Sequence, residues 1–219
     1  MKSYRLATLS VLLLAAFTAS AESLVVNGSL NGSIANMDVP TGWTVLGGTP
    51  DTVDPTSNVG VSGWLSFGVA PTASPDGGTW VGLGINGSYI EQFGQSISGL
   101  TIGKTYTVSW QAANFGVNNH DNSYLGSNAI GVLLDGASIG QGSTLSLSSN
   151  WYTQSLTFVA TSASQLLSFR LANSETAYLG IDGISVTTGG VAPAVPEPST
   201  WLLMAMGVAA VGAMRRRQG

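Results

Sequence analysis

The stretch Tyr106-Thr107-Val108-Ser109-Trp110-Gln111-Ala112 decides the fold. Tyr, Val, Trp and Ala fall at every second place with Thr, Ser and Gln between them. That is the period of a half-buried strand, in which successive side chains point to opposite faces. Downstream, Ile130 to Leu134 is more continuously apolar and ends at Asp135-Gly136, a turn signal that predicts a hairpin into Ala137 to Gly140. Tyr152, Gln154, Leu156 and Phe158 alternate, as do Leu167, Phe169 and Leu171, and Ile184 and Val186 close the series. Upstream, Leu24 to Val26, Trp43 to Leu46, Trp64 to Val69, Trp80 to Ile85 and Tyr89 to Phe93 read as further short strands. Gly, Asn, Asp, Ser and Pro punctuate them. No stretch between the two chain ends keeps a helical period, and no internal repeat is present. The pattern predicts an all-β domain, an antiparallel β-sandwich of the jelly-roll kind.

The two ends carry different signals. Met1-Lys2-Ser3-Tyr4-Arg5 is a basic start, Leu6 to Phe17 an apolar run and Ala19-Ser20-Ala21 a small-residue cleavage site. Residues 1–21 therefore read as a secretory signal peptide, which implies the secretion translocon and signal peptidase as partners. At the other end, Pro196-Glu197-Pro198 precedes an apolar run from Trp201 to Met214, followed at once by Arg215-Arg216-Arg217. The arginines hold the end of such a helix on the cytoplasmic side. A helix over residues 201–214 is about 21 Å long against a hydrocarbon core of about 30 Å, which suits a transient anchor in the inner membrane. Residues 188–195, rich in Gly, Ala and Pro, read as a linker that holds the sandwich, residues 22–187, off the membrane.

Charge sharpens once the ends are set aside. Between Glu22 and Ala194 only Lys104 and Arg170 oppose ten acidic residues, a net charge of −8. No basic patch exists to neutralise phosphates, which excludes nucleic acid and argues equally against anionic lipid. Neutral polysaccharide and calcium are the partners such a surface admits. The chain has no cysteine, so thiol chemistry, zinc-thiolate sites and a disulfide framework are excluded. About 170 residues suffice to bury one adequate core without cross-links.

Pro196-Glu197-Pro198, the apolar helix and the arginine cluster stand in the order of the PEP-CTERM sorting signal of Gram-negative bacteria, which residues 196–217 closely resemble. The resemblance implies processing by an exosortase and release or attachment at the cell surface. The body resembles a second type. Asn27-Gly28-Ser29-Leu30-Asn31, Gly42-Trp43, Asp76-Gly77-Gly78, the Gly103 to Ser109 strand and Ile181-Asp182-Gly183-Ile184-Ser185-Val186 follow one another as in the galactose-binding-like jelly roll of carbohydrate-binding modules and of many exported PEP-CTERM proteins. In those modules an early Glu and a late Asp help to hold a structural calcium ion. Asp182 matches the late position and Asn31 stands at the early one, and an amide supplies an oxygen ligand without the charge of a carboxylate.

Sugar recognition needs flat aromatic faces ringed by amides and carboxylates. The resemblance places Trp43 and Trp110 at positions that fill the core of such modules, and Trp110 alternates in phase with Tyr106 and Val108. Trp64, Trp80 and Tyr124 are the surface candidates, and Trp80 lies opposite in phase to Val81, Leu83 and Ile85, hence on the other sheet face. Ordinary packing under a loop is the competing account of each. The loop after the best strand, with Asn118, Asn119, His120 and Asp121 before Tyr124, holds the only histidine and the densest polar set, and loops at a sandwich end are where sites are usually placed. Solvated turn residues would look the same. For catalysis the chain offers no Gly-x-Ser-x-Gly elbow, no His-Glu-x-x-His and no phosphate loop. A glycosidase needs two placed carboxylates, and Asp51, Asp54, Asp76, Glu91, Asp121 and Asp135 are not paired by sequence. The expectation is a non-catalytic carbohydrate-binding module. A structural or adhesive surface protein and a secreted glycan-active enzyme are the alternatives.

Overall fold

The structure, a computed structural model, describes residues 22–57, 66–87, 89–118 and 123–189. The signal peptide, most of the linker, the sorting tail, Trp64, Asn119, His120 and Asp121 lie outside the described residues. Among those described there is no helix. The strands are β1 (Thr44–Gly47), β2 (Asp51–Val53), β3 (Ser66–Phe67), β4 (Trp80–Asn86), β5 (Tyr89–Ile90), β6 (Gln92–Ser98), β7 (Thr105–Ala113), β8 (Val117–Asn118), β9 (Ser123–Tyr124), β10 (Ile130–Leu134), β11 (Ala137–Gln141), β12 (Tyr152–Val159), β13 (Ser164–Leu171) and β14 (Ala177–Thr188).

They form two stacked antiparallel sheets, ordered β1-β6-β13-β10-β11 and β12-β7-β14-β4-β2, with β5 also on β4 and a small third sheet, β3-β8-β9. Strand β7 shows why. Its Tyr106, Val108, Trp110 and Ala112 are buried and its intervening Thr107, Ser109 and Gln111 are half-buried. Leu83, Ile85, Leu179 and Ile181 extend that inner face, and Phe93, Ile97, Val132, Leu167 and Phe169 meet it from the other sheet. Trp43 closes one end with its ring 5.0 Å from Phe93 and 6.1 Å from Phe169. Each such fully buried aliphatic or Phe side chain contributes about 1.5–3 kcal/mol relative to exposure. Every described strand finds its partners among the described residues, and two apolar clusters, a large one between the sheets and a small one around Trp80, hold them together.

Asp135 and Gly136 both take positive φ, 50° and 82°, and join β10 to β11 with Leu134 opposite Ala137, as the turn signal predicts. The expected strand at Leu24 to Val26 is instead a turn, since Asn27 and Leu30 adopt left-handed φ. It still docks beside the last strand: the Leu24 N–H donates to Val186 O (2.9 Å) and the Ile184 N–H to Gly28 O (2.8 Å). The chain's two ends of the sandwich are thereby brought together.

Candidate functional site

The face of the β12-β7-β14-β4-β2 sheet that points away from the core is unusually flat at its centre. Asp51 lies opposite Gly82, Gly82 opposite Gly180, and Gly180 opposite Ala113. Residues directly opposite share a face, so a nearly side-chain-free row crosses four strands. Two rings fold onto it. A Cβ at Gly82 would come within 1.9 Å of Tyr178 Oη, and one at Gly180 within 2.9 Å of the Trp80 ring. The glycines are there for these rings.

Trp80 does occupy the face opposite to Val81, Leu83 and Ile85, but it is no surface residue. It is 0% exposed, at the centre of a second apolar cluster with Val53, Ala113 and Phe115, packed against by Phe67, Val69 and Trp151. Its ring stands 5.7 Å from Phe115 and 5.4 Å from Trp151. Period-two reading gives the face of a side chain and not what covers it, and here the small third sheet and the segment before β12 cover it. Its indole N–H has no partner among the described residues.

Tyr124 and Asn118 fare differently. They sit in the third sheet, where Val117 pairs with Tyr124 and Asn118 with Ser123. Asn118 is exposed, accepting a bond from Ser123 Oγ (3.3 Å), and Tyr124 is half-buried. Asn118 and Tyr124 thus stand on neighbouring strands on either side of residues 119–122 but on alternate faces, Asn118 with Ser123 and Tyr124 with Val117, and Trp80 is separated from them as buried support. Trp151 is the aromatic that sequence reasoning passed over. It is half-buried, edge-on to both Trp80 and Phe115, and its indole N–H donates to Thr72 O (3.2 Å). Its place directly before the alternating Tyr152 to Phe158 run was the available signal.

Beyond Tyr178 the same face carries a sealed acidic cluster. Asp51 accepts from the Met37 N–H (3.0 Å) and from Tyr178 Oη (3.1 Å). Glu91 accepts from the Gly84 N–H (2.5 Å), Tyr89 Oη (2.9 Å) and Thr49 Oγ1 (3.2 Å), and Thr49 and Tyr89 also bond each other. Asp51 and Glu91 are both buried. Burial, then the neighbouring Asp51 charge, pushes Glu91 up to about 8. Burial likewise raises Asp51, and it holds Tyr178 well above its ordinary value. Two carboxylates that sequence left unpaired are therefore neighbours, closed off from solvent and saturated with hydrogen bonds.

Asp182 presents the opposite case. Strand β14 slips register against β7 between Asp182 and Ser185, and Gly183 takes φ 56°. This bulge re-aims the chain beside the Ser74–Thr79 loop. Asp182 is 0% exposed, and neither carboxylate oxygen makes a well-formed hydrogen bond, although the Ser74 hydroxyl and the Gly183 N–H approach it. Burial pushes it up to about 7, with the Asp76 charge acting in the same direction and Ser74 and the Gly183 N–H opposing. At the far end of that loop Asn31 Oδ1 accepts from the Thr79 N–H (3.3 Å) and would lie 1.6 Å from a Cβ at Gly78. An orphaned buried carboxylate is costly unless it is protonated or meets a cation. Asp182 and Asp76, which lies beside Gly183, carry the hard carboxylate oxygens that calcium takes. No cluster of three or more His, Cys, Asp or Glu ligands occurs among the described residues.

Residues 194–217 match the PEP-CTERM protein-sorting motif, and the expected Pro196-Glu197-Pro198 and Arg215-Arg216-Arg217 both lie inside that match. No curated protein matches the chain. Among solved structures, the body is similar to an arabinose-bound GH51 α-L-arabinofuranosidase (TM-score 0.50, 13% identity, 76% of this chain and 26% of that one). It is also similar to the CBM22-1 xylan-binding domain of Paenibacillus barcinonensis Xyn10C (0.46, 13%, 78% and 97%) and to a CBM4 structure (0.41, 22%, 75% and 99%). The chain spans about a quarter of the arabinofuranosidase. No helix among the described residues is long and apolar enough to cross a membrane; the apolar run 201–214 lies outside them. The fold is an antiparallel β-sandwich, and the tail marks the chain as an exported protein that carries a PEP-CTERM sorting motif, is anchored in a membrane before processing and is cut by an exosortase.

Proposed function

We propose that residues 22–189 are a non-catalytic carbohydrate-binding module that recognises neutral polysaccharide outside the cell. In this reading the signal peptide brings the chain to the translocon and signal peptidase. The exosortase then cuts at or near Pro196-Glu197-Pro198 and leaves the module at the cell surface or in the matrix. The observation that carries the sugar reading is the antiparallel pairing of the two short strands that bear exposed Asn118 and half-buried Tyr124, which bracket Asn119, His120 and Asp121 in the sequence. The aromatic offers a face for sugar C–H groups, and the amides and carboxylate offer bonds to hydroxyls. Trp80, Phe115 and Phe67 act from beneath by holding the third sheet rigid. A net charge of −8 with two basic residues favours an uncharged ligand. Binding is weak per contact, since each hydroxyl exchanges water for protein at a net gain of about 1 kcal/mol.

The sealing of Asp51 and Glu91 supports the non-catalytic part, because a glycosidase pair must reach its substrate. A structural calcium ion held by Asp182 with Asn31 and Asp76 would tie the last strand to the Ser74–Thr79 loop; when bound it would supply charge compensation and no chemistry. Affinity electrophoresis of residues 22–189 through gels containing neutral polysaccharides tests the site. Tyr124→Ala is expected to lose retardation while keeping its thermal midpoint. Unchanged retardation would remove Tyr124 from the site.

A further inference from the structure

From Gly136 to Phe169 the chain carries no charged residue, in a body whose net charge is −8. This segment builds β11, β12 and most of β13, and β11 and β12 are the edge strands of the two sheets. They lie on one side of the sandwich, with the Leu156 side chain over Gly140. The strands on this side of an acidic molecule are therefore neutral, with Asp135 in the groove between β11 and β12 and Lys104 beside Ala160 at the end of β12 as the charges nearest to them.

The edges are not equally protected. Strand β2 is three residues long and is taken up by Ala35, which exchanges backbone bonds with Thr52 (3.0 and 2.9 Å). Strand β1 is short and bulged, and β11 shifts register against β10 and turns at Gly140. Strand β12 has none of these devices. It pairs with β7 over eight residues without a bulge, contains no Lys, Pro or charge, and has no hydrogen-bonded neighbour on its outer edge among the described residues. That edge runs about 26 Å at about 3.3 Å per residue. Thr153, Ser155 and Thr157 beside it are exposed, as are Tyr152 (42%) and Val159 (55%). Natural sheets rarely leave such an edge open.

We infer that β12 pairs antiparallel with β12 of a second copy, which joins the six-stranded sheet of each copy into one continuous sheet about a two-fold axis at Ser155. Backbone bonds along an edge are blind to sequence, so charge selects the partner. Two bodies of like charge repel over the rest of their surfaces and meet here without a charged side chain. Antiparallel self-pairing about the middle of the strand keeps Gln154, Leu156 and Phe158 of both copies on the core face. It also brings the partner strand over half-buried Leu156 and beside the groove of about 450 Å³ lined by Leu134, Ile139 and Phe158, in which Asp135 is the one charged residue. An eight-residue strand pair is a small interface, so the dimer forms in a concentration-dependent equilibrium.

Sedimentation analysis of residues 22–189 over a wide concentration range tests this. The parent protein is expected to show a monomer–dimer equilibrium. Ser155→Lys and Ser155→Asp should each be monomeric with an unchanged thermal midpoint, because like charges then face each other across the axis. An equimolar mixture of the two should dimerise again. If Ser155→Lys does not fold, Thr153→Lys combined with Thr157→Lys gives the same readout, because residues 153 and 157 face each other across the antiparallel pair. A parent protein that is monomeric throughout, or a dimer indifferent to both charges, overturns the inference. A monomer whose retention by neutral polysaccharide is lost in Ser155→Lys would assign the edge to glycan and overturn it too, whereas failure of the Tyr124 site leaves it untouched.

Discussion

Glu91→Gln is the sharpest perturbation that the buried acidic cluster allows. Glu91 titrates near 8 in the folded chain against an ordinary 4.5. Its folded value is raised, so the stability it contributes is fully present below about 4.5 and is lost as pH rises through about 8. Between those limits the unfolded chain has released a proton that the folded chain keeps, and stability falls by about 1.4 kcal/mol per pH unit. Over the whole window the loss is on the order of 5 kcal/mol, a large share of the 5–15 kcal/mol that holds a typical domain together. Asp51 is raised by burial as well and adds a loss of the same sign. Glutamine reproduces the protonated acid: its oxygen can accept the Gly84 N–H, and its amide can donate to Tyr89 and Thr49 once their hydroxyls rotate. Urea unfolding followed by tryptophan fluorescence at pH 5, 6.5 and 8, with chelator present, provides the assay. The parent protein should weaken steadily with pH, while Glu91→Gln should show a clearly flatter profile and exceed the parent at pH 8. Parallel profiles, or a parent protein more stable at pH 8 than at pH 5, would refute the reasoning.

Trp80→Ala should destabilise the fold by about 3–5 kcal/mol, as expected for a buried aromatic, and should weaken polysaccharide retention in the protein that stays folded by loosening the third sheet it supports; equilibrium unfolding and affinity electrophoresis together read this. Gly82→Ala should cost about 1–3 kcal/mol because it drives Tyr178 off its platform, and denaturant midpoints measure it. Calcium in excess should raise the thermal midpoint, by an amount equivalent to about 2.7 kcal/mol at a hundred times its dissociation constant, and Asp182→Asn should abolish that rise in differential scanning calorimetry. Intact-mass analysis of surface-extracted protein should show a chain lacking residues 201–219; a mass that includes Arg215-Arg216-Arg217 would contradict processing at the Pro196-Glu197-Pro198 motif.

Strands whose two faces differ in polarity were legible residue by residue. Alternation from Tyr106 to Ala112 gives the buried face of β7, and the Asp135-Gly136 turn gives the β10–β11 hairpin. Strand β2 escaped because three residues between Pro50 and Asp54-Pro55 are too few to show a period. The turn at Leu24 to Val26 passed for a strand because Asn27 and Leu30 bend the chain at left-handed angles that apolar content does not signal. At the site, the sequence placed Tyr124 and Asn118 together, as neighbours of one polar loop. The cover over Trp80, the approach of Glu91 to Asp51 and the orphaned oxygens of Asp182 all depend on segments distant in the chain, and local pattern carries no record of them. Asp182 was singled out by resemblance; its burial without well-formed hydrogen bonds is a property of the assembled bulge and loop.

The most direct test of the account is a pull-down of residues 22–189 against a panel of neutral polysaccharides at low and high salt. Recognition by Tyr124 and the amides of the adjoining loop is short-range and uncharged, so retention on at least one glycan should persist unchanged at high salt and be reduced by Tyr124→Ala. Absence of retention on every glycan, or retention that salt abolishes, would contradict the claim that this sandwich is a carbohydrate-binding module.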